Sequence, residues 1–194
     1  MEWKLLVPIL IIAIIFISGC TEETSQNATQ QNQIQNITES KTTELEPTEL
    51  ILREEDLPEN YSVMDRGETL KSDISERLAN LGWKNGYYAL YGNEISYFEA
   101  IGIDHHVSIF PLENIAKTID TINTSDEELS NPNIGEKSRA FRMVSKDEFG
   151  EEEYRGYIIV FTKKDVFEYV AILGTVTDYE LLRELAVKAE SKIK

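Results

Sequence analysis

The sequence predicts an α+β domain, a curved and mainly antiparallel sheet with about three packed helices, preceded by a signal peptide and a disordered linker. Two observations indicate the domain: apolar strand patterns follow one another at hairpin spacing, and three stretches with helical apolar spacing lie between them. A third is that the polar residues before the domain have no such pattern. The expected boundaries are 1–19 for the signal peptide, 20–44 for the linker and 45–194 for a single domain.

The N-terminal segment is an uncharged apolar run from Leu5 to Ile17, with Lys4 just before it. As a helix, these residues would span roughly 20 Å, which is short for a hydrocarbon core of about 30 Å. The length and the small residues that follow are typical of a signal peptide. An uncleaved anchor from Trp3 to Cys20 is the alternative, because 18 residues could cross a thinned bilayer.

The apolar run ends in the tetrapeptide Ile17-Ser18-Gly19-Cys20, and Cys20 is the only cysteine of the chain. This segment resembles the lipobox of secreted lipoproteins. The resemblance implies export, cleavage before Cys20 and a lipid on its sulfur, so membrane lipid is the first expected partner. The expected location is the extracytoplasmic face of the cell membrane.

The segment from Thr21 to Glu44 consists almost entirely of Thr, Asn, Gln, Ser and Glu. Such a composition buries too little apolar surface to offset the entropy lost on ordering, so a disordered spacer is expected. Asn27 and Asn36 each precede a threonine by two residues and are candidate glycosylation acceptors. Asn60 and Asn123 lie in two further triplets of this kind.

The overall charge is strongly acidic, with a formal net charge of −16 and a pI near 4.5. This balance argues against nucleic acid as a partner, because phosphates require clustered Lys and Arg. Since no cysteine follows Cys20, neither a disulfide framework nor thiolate chemistry is expected in the domain.

The first part of the domain contains shorter elements. Leu50–Arg53 and Tyr61–Asp65 are predicted strands, separated by a turn at residues 57–60. Asp73 and Glu76 have the spacing of a capping box that opens a helix, and Gly82 ends it.

The middle of the chain predicts a hairpin, a third strand and a helix. Strands Tyr87–Tyr91 and Ile95–Ile103 are joined by a tight turn at Gly92-Asn93, and His105–Phe110 follows as the next strand. Proline suits the first turn of a helix. A helix is therefore expected from Pro111, with an apolar stripe of Leu112, Ile115, Ile119 and Ile122.

After a polar loop at residues 124–136, strands are predicted at Arg139–Ser145, Tyr157–Phe161 and Val166–Leu173. The last two are apolar at odd and even positions, so both faces of their hairpin should be covered. Thr177 and Glu180 form a capping box for a final helix, whose apolar stripe is Leu181, Leu182, Leu185, Ala186 and Ala189.

The C-terminal half carries a second resemblance. The segment Ile134-Gly135-Glu136-Lys137-Ser138, the apolar hairpin through Leu173 and the closing helix resemble domains of archaeal and bacterial surface lipoproteins. Their fold is similar to the PsbP-like α/β/α sandwich. Such domains usually carry glycine in the hairpin turn, where this chain has Lys164-Asp165. The resemblance implies a fold more than a function.

Asp104-His105-His106 is the single histidine cluster of the sequence. Neighbouring strand residues point to opposite faces, so Asp104 and His106 can share a face while His105 cannot join them. They are weak candidates for a metal site, with Glu99 from a paired strand as a third ligand. Ordinary histidines near a strand end are the more common explanation. No cofactor is expected.

Five aromatic residues lie close together in the middle of the chain, and a cross-strand ladder is their usual explanation. A stacking platform for a sugar or an apolar ligand is the alternative. These residues are Tyr87, Tyr88, Tyr91, Tyr97 and Phe98.

The sequence contains no nucleophile elbow, no phosphate-binding glycine loop and no dinucleotide fingerprint. We therefore expect a non-enzymatic binding or envelope-assembly module, whose partner is an unknown protein or small molecule. A surface hydrolase that uses scattered carboxylates is the alternative.

Overall fold

The computed structural model describes residues 42–96, 99–122, 124, 126–146, 152–175 and 177–194. The predicted signal peptide and nearly all of the predicted linker therefore lie outside the described residues. No helix within the described ranges is long and apolar enough to cross a bilayer.

A seven-stranded antiparallel sheet forms the centre of the domain, in the order β1-β2-β3-β7-β6-β5-β4. This confirms the predicted α+β class. The strands are β1 Ser62–Glu68, β2 Asn85–Ser96, β3 Glu99–Ile109, β4 Glu127–Glu128, β5 Lys137–Lys146, β6 Glu152–Lys163 and β7 Val166–Gly174. The helices are α1 Pro47–Leu50, α2 Glu76–Asn80, α3 Leu112–Thr121 and α4 Tyr179–Lys192.

Helices cover both faces of the sheet, so the domain has three layers. On the first face, α1 and α4 pack over a core that includes Tyr91, Val107, Val170, Leu182 and Leu185. On the second face, α2 and α3 enclose a smaller core that includes Phe110, Ile115, Ile119, Phe141 and Phe167. The described residues contain four α-helices, one more than the expected three, because α1 is an additional single turn.

The central hairpin of β6 and β7 is as predicted. Seven of the nine residues of β7 are buried, because a helix layer covers each of its faces. The turn places Lys164 at φ 56°, in the left-handed region that glycine usually occupies.

The predicted turn at Gly92-Asn93 is wrong. Strand β2 continues through both residues and pairs with β3 as far as Ser96 and Glu99. Neither Gly92 nor Asn93 has a positive φ, which a two-residue primed turn requires. The residues expected to form two separate strands, Ile95–Ile103 and His105–Phe110, therefore belong largely to the single long strand β3.

The predicted strand Leu50–Arg53 is also wrong. Residues 45–57 form a strap that contains α1 and a 3₁₀ turn at Glu54–Asp56. The strap lies on the first face, against β2, β3 and α4, and buries Leu50, Ile51 and Leu52. The apolar run that resembled a strand is therefore apolar because it packs onto the sheet.

Two helix starts differ from the predicted capping boxes. Ser75 rather than Asp73 caps α2, because its side chain accepts a hydrogen bond from the Leu78 N–H. Asp178 rather than Thr177 caps α4, since its carboxylate accepts from the Glu180 N–H. The predicted end of α2 is confirmed by Gly82, which has φ 85°.

The two edge strands are both poorly suited to further pairing. The register of β1 shifts between Val63 and Asp65, which produces a bulge, and Asp65, Arg66 and Glu68 are exposed. Strand β4, which the sequence did not predict, contains only two residues.

Candidate functional site

Several predicted site residues lie outside the described part of the chain. These are Ile17, Ser18, Gly19, Cys20, Asn27 and Asn36, so lipid attachment and glycosylation at these positions stay predictions. Asn123 also lies outside the described residues, whereas Asn60 is exposed in a turn at φ 75°.

Asp104 and His106 share the second face of the sheet, as their spacing predicted. His106 Nε2 lies 2.9 Å from Asp104 Oδ1, and both side chains are partly exposed. The ring of His106 stacks on Tyr88 at 5.8 Å between centroids and meets the edge of Tyr169 at 5.6 Å. The three rings come from neighbouring strands β2, β3 and β7.

The suggested third metal ligand does not fit this arrangement. Glu99 belongs to β3 itself, the strand of Asp104 and His106, rather than to a paired strand. It lies seven positions from His106, which corresponds to about 23 Å along a strand. Within the described ranges, no group of three or more His, Cys, Asp and Glu residues is placed to hold a metal ion.

The tyrosines of β2 divide between the two faces. Tyr87 and Tyr91 share the first face, and Tyr91 is buried there. Tyr88 lies on the second face, where its hydroxyl donates to Asp65 Oδ2 at 3.1 Å. That hydrogen bond raises the pKa of Tyr88, because the phenol must stay protonated to donate it. A single aromatic platform is therefore not formed by these three residues.

A buried polar cluster that the sequence did not reveal lies beneath the strap. The Leu52 N–H donates to His105 Nδ1 at 3.0 Å, and the Tyr91 hydroxyl donates to the Leu52 carbonyl. On its other side, His105 Nε2 lies 2.9 Å from Glu168 Oε2. We call His105, Glu168, Tyr91 and the Leu52 backbone the clasp.

The hydrogen bonds define the protonation of His105. Because Nδ1 accepts a hydrogen bond from the Leu52 N–H, it carries no proton. The ring proton is therefore on Nε2, which donates a hydrogen bond to Glu168. Both side chains are fully buried, and Glu168 Oε1 has no partner among the described residues. Burial raises the pKa of Glu168, although the hydrogen bond from His105 opposes this shift.

Titratable groups with perturbed pKa values are candidates for acid–base catalysis where they line a cleft. In the clasp, however, neither side chain is accessible to a substrate. An open cavity of about 240 Å³ lies at the start of the strap, where Asp165 accepts a hydrogen bond from the Thr43 N–H. Glu168 does not line this cavity.

The second face is partly open over β1, β2 and β3, since α2 and α3 pack mainly against each other and against β5, β6 and β7. Met64, whose side chain lies over Gly92 on this face, is 63% exposed, and Tyr88 and Leu90 are partly buried. We call this region the open face; among the described residues it comprises Met64, Tyr88, Leu90, Asp104 and His106.

The comparison with known proteins supports the fold. No family model matches the sequence, and no curated protein matches it. Among solved structures, the extracellular domain of PknH from Mycobacterium tuberculosis matches with a TM-score of 0.54 at 8% identity. The match covers 74% of this chain and 94% of the PknH domain. At this identity the similarity shows a shared fold.

Proposed function

We propose that this protein is a lipoprotein of the cell surface, held by a lipid on Cys20. The observation that carries the proposal is the segment Ile17-Ser18-Gly19-Cys20, which follows an apolar run and contains the chain's single cysteine. The extracytoplasmic location is also supported by the structural neighbour, which is an extracellular domain. The polar residues 21–44 then form the spacer between membrane and domain.

We also propose a relationship to surface lipoproteins with a PsbP-like fold. Helices lie on both faces of the sheet, and the β6–β7 hairpin is followed by α4. The relationship itself stays a proposal, because no family model matches.

The domain would act by binding a protein or a small molecule through the open face. This face exposes Met64 and part of the ring of Tyr88, and such apolar and aromatic groups are typical of recognition surfaces. The acidic side chains of Asp65 and Asp104 would add a preference for cationic groups. The alternative of a surface hydrolase stays a prediction that the buried clasp does not favour.

The anchor is tested by a Cys20→Ser variant. We expect the native chain to start at a lipidated Cys20 and to partition into membranes, and the variant to lose the lipid and its membrane retention. Mass spectrometry of the N-terminus and fractionation of cells provide the two measurements. A Ser18→Ala variant, which keeps a small residue before the cysteine, should behave as the native chain. A native chain that retains Met1 in the membrane would instead select the uncleaved helix.

The open face is tested by site-specific crosslinking on intact cells. We expect a photoreactive residue in place of Met64 to yield a defined adduct, because that side chain is exposed on the open face. Val187 provides the matched control, since it is 45% exposed on α4, which packs on the opposite side of the sheet. Equal adducts at both positions, or none at Met64, would contradict this binding surface.

A further inference from the structure

The strap is the first described segment after the predicted spacer, and Leu52 lies near its middle. Both polar groups of the Leu52 backbone are bound by side chains of the sheet: His105 accepts from the N–H and Tyr91 donates to the carbonyl. At its end, the strap is also fixed to α4, where Lys192 Nζ lies 2.6 Å from Asp56 Oδ2.

One of these contacts depends on protonation. His105 can accept the Leu52 N–H only while Nδ1 carries a lone pair. A second proton on the imidazole would place two N–H groups against each other in a fully buried site. Binding of that proton and docking of the strap therefore oppose each other.

We propose that the clasp is a pH-sensitive latch, in which protonation of His105 releases the strap from the first face of the sheet. The burial of Leu50, Ile51, Leu52 and Leu57 keeps the strap docked most of the time. The proton therefore acts by increasing a minor open population.

Release of the strap would lengthen the flexible connection between the domain and the membrane. This consequence rests on the proposed lipid anchor, whereas the latch itself does not. The strap contains 13 residues, which add at most about 45 Å of reach when fully extended. Acidification would thus let the domain move farther from the membrane, in addition to the reach of the spacer.

Other titratable or charged groups lie in or around the clasp and require controls. Within the clasp they are Glu168 on β7 and Tyr91 on β2, and around it they are Glu190 and Lys192 on α4, Arg66 on β1, and Glu54 and Asp56 on the strap. Burial acts to raise the pKa of Asp56, but hydrogen bonds from Lys192 and the Arg53 N–H lower it overall. Asp56 therefore loses its charge only in stronger acid than an exposed imidazole needs to gain one, near pH 6.5.

Hydrogen exchange of the full chain in detergent measures the latch. An exposed imidazole binds its second proton near pH 6.5, so the open-to-docked ratio should rise about tenfold between pH 7.5 and pH 5.5. We expect strap amides to lose protection by this factor, after correction for intrinsic exchange, while amides of β7 keep theirs. A ¹⁵N spectrum of a His106→Gln variant, which leaves one histidine, should show Nδ1 unprotonated at pH 7.5.

Three variants test whether His105 causes the loss of strap protection in acid. His105→Asn keeps an acceptor near the position of Nδ1 but cannot bind the proton, so its strap protection should not depend on pH. Glu168→Gln removes the titration of the carboxyl group within the clasp and Asp56→Asn that of a carboxyl group on the strap, and both variants should retain the tenfold loss. A flat profile in the wild-type protein and in Glu168→Gln would overturn the latch. So would a pH dependence that persists in His105→Asn.

Discussion

We expect the His105→Leu variant to lose about 3–5 kcal/mol of its free energy of unfolding, a large part of the 5–15 kcal/mol typical of a domain. The substitution leaves the Leu52 N–H and the fully buried carboxyl group of Glu168 without their partner. Unfolding in urea, followed by Trp83 fluorescence and by circular dichroism, measures this loss.

Two further variants determine whether the loss comes from unpaired polar groups. In the double variant His105→Leu/Glu168→Leu, the buried carboxyl group is also removed, so the protein should be more stable than His105→Leu alone. The matched control is His106→Leu on the same strand, which removes a partly exposed contact with Asp104 and should cost less than about 1 kcal/mol. A double variant that loses the sum of both single effects would contradict the pairing.

The second large effect is expected for Gly135→Ala, which we expect to destabilise the domain by about 2 kcal/mol or more. Gly135 has φ 65°, a left-handed conformation that a side chain disfavours. A Cβ at this position would also overlap the backbone carbonyl oxygen of Thr162 on β6, and a backbone atom cannot rotate away. The same urea titration measures this change.

Gly102→Ala is the matched control for Gly135→Ala. A Cβ there would lie 3.7 Å from the Tyr91 carbonyl oxygen and 3.8 Å from that of Leu173, which are ordinary contacts. The stability of this variant should change by less than about 1 kcal/mol. Equal losses for the two glycine variants would show that Gly135 is not required for its conformation.

The fold was predictable where local pattern and tertiary environment agree. The β6–β7 hairpin is apolar on both faces because both faces are covered, and periodicity alone indicates this. The prediction of a turn at Gly92-Asn93 failed because the continued pairing of β2 with β3 outweighs the local turn preference of these two residues. The side chain of Met64, on the bulged strand β1, lies over the position where Gly92 has no side chain.

The candidate sites were likewise predictable only where their residues lie close together in the sequence. The shared face of Asp104 and His106 follows from their separation by two positions in a strand. The clasp joins Leu52, His105 and Glu168, which are separated by 53 and 63 positions. No spacing rule connects residues so far apart in sequence. Leu50–Arg53 of the strap were predicted as a strand for the same reason, since the surface that they pack against forms only in the folded domain.

The irregular, charged strand β1 disfavours edge-to-edge pairing between neighbouring copies of the domain. A straight apolar edge would invite a neighbouring molecule to continue the sheet, whereas a bulge and alternating acid and base side chains discourage this. At the opposite margin, β4 covers only Phe141 and Arg142 of β5, so this protection is specific to the β1 side. Dense populations of the protein should therefore not assemble by pairing of β1 edges.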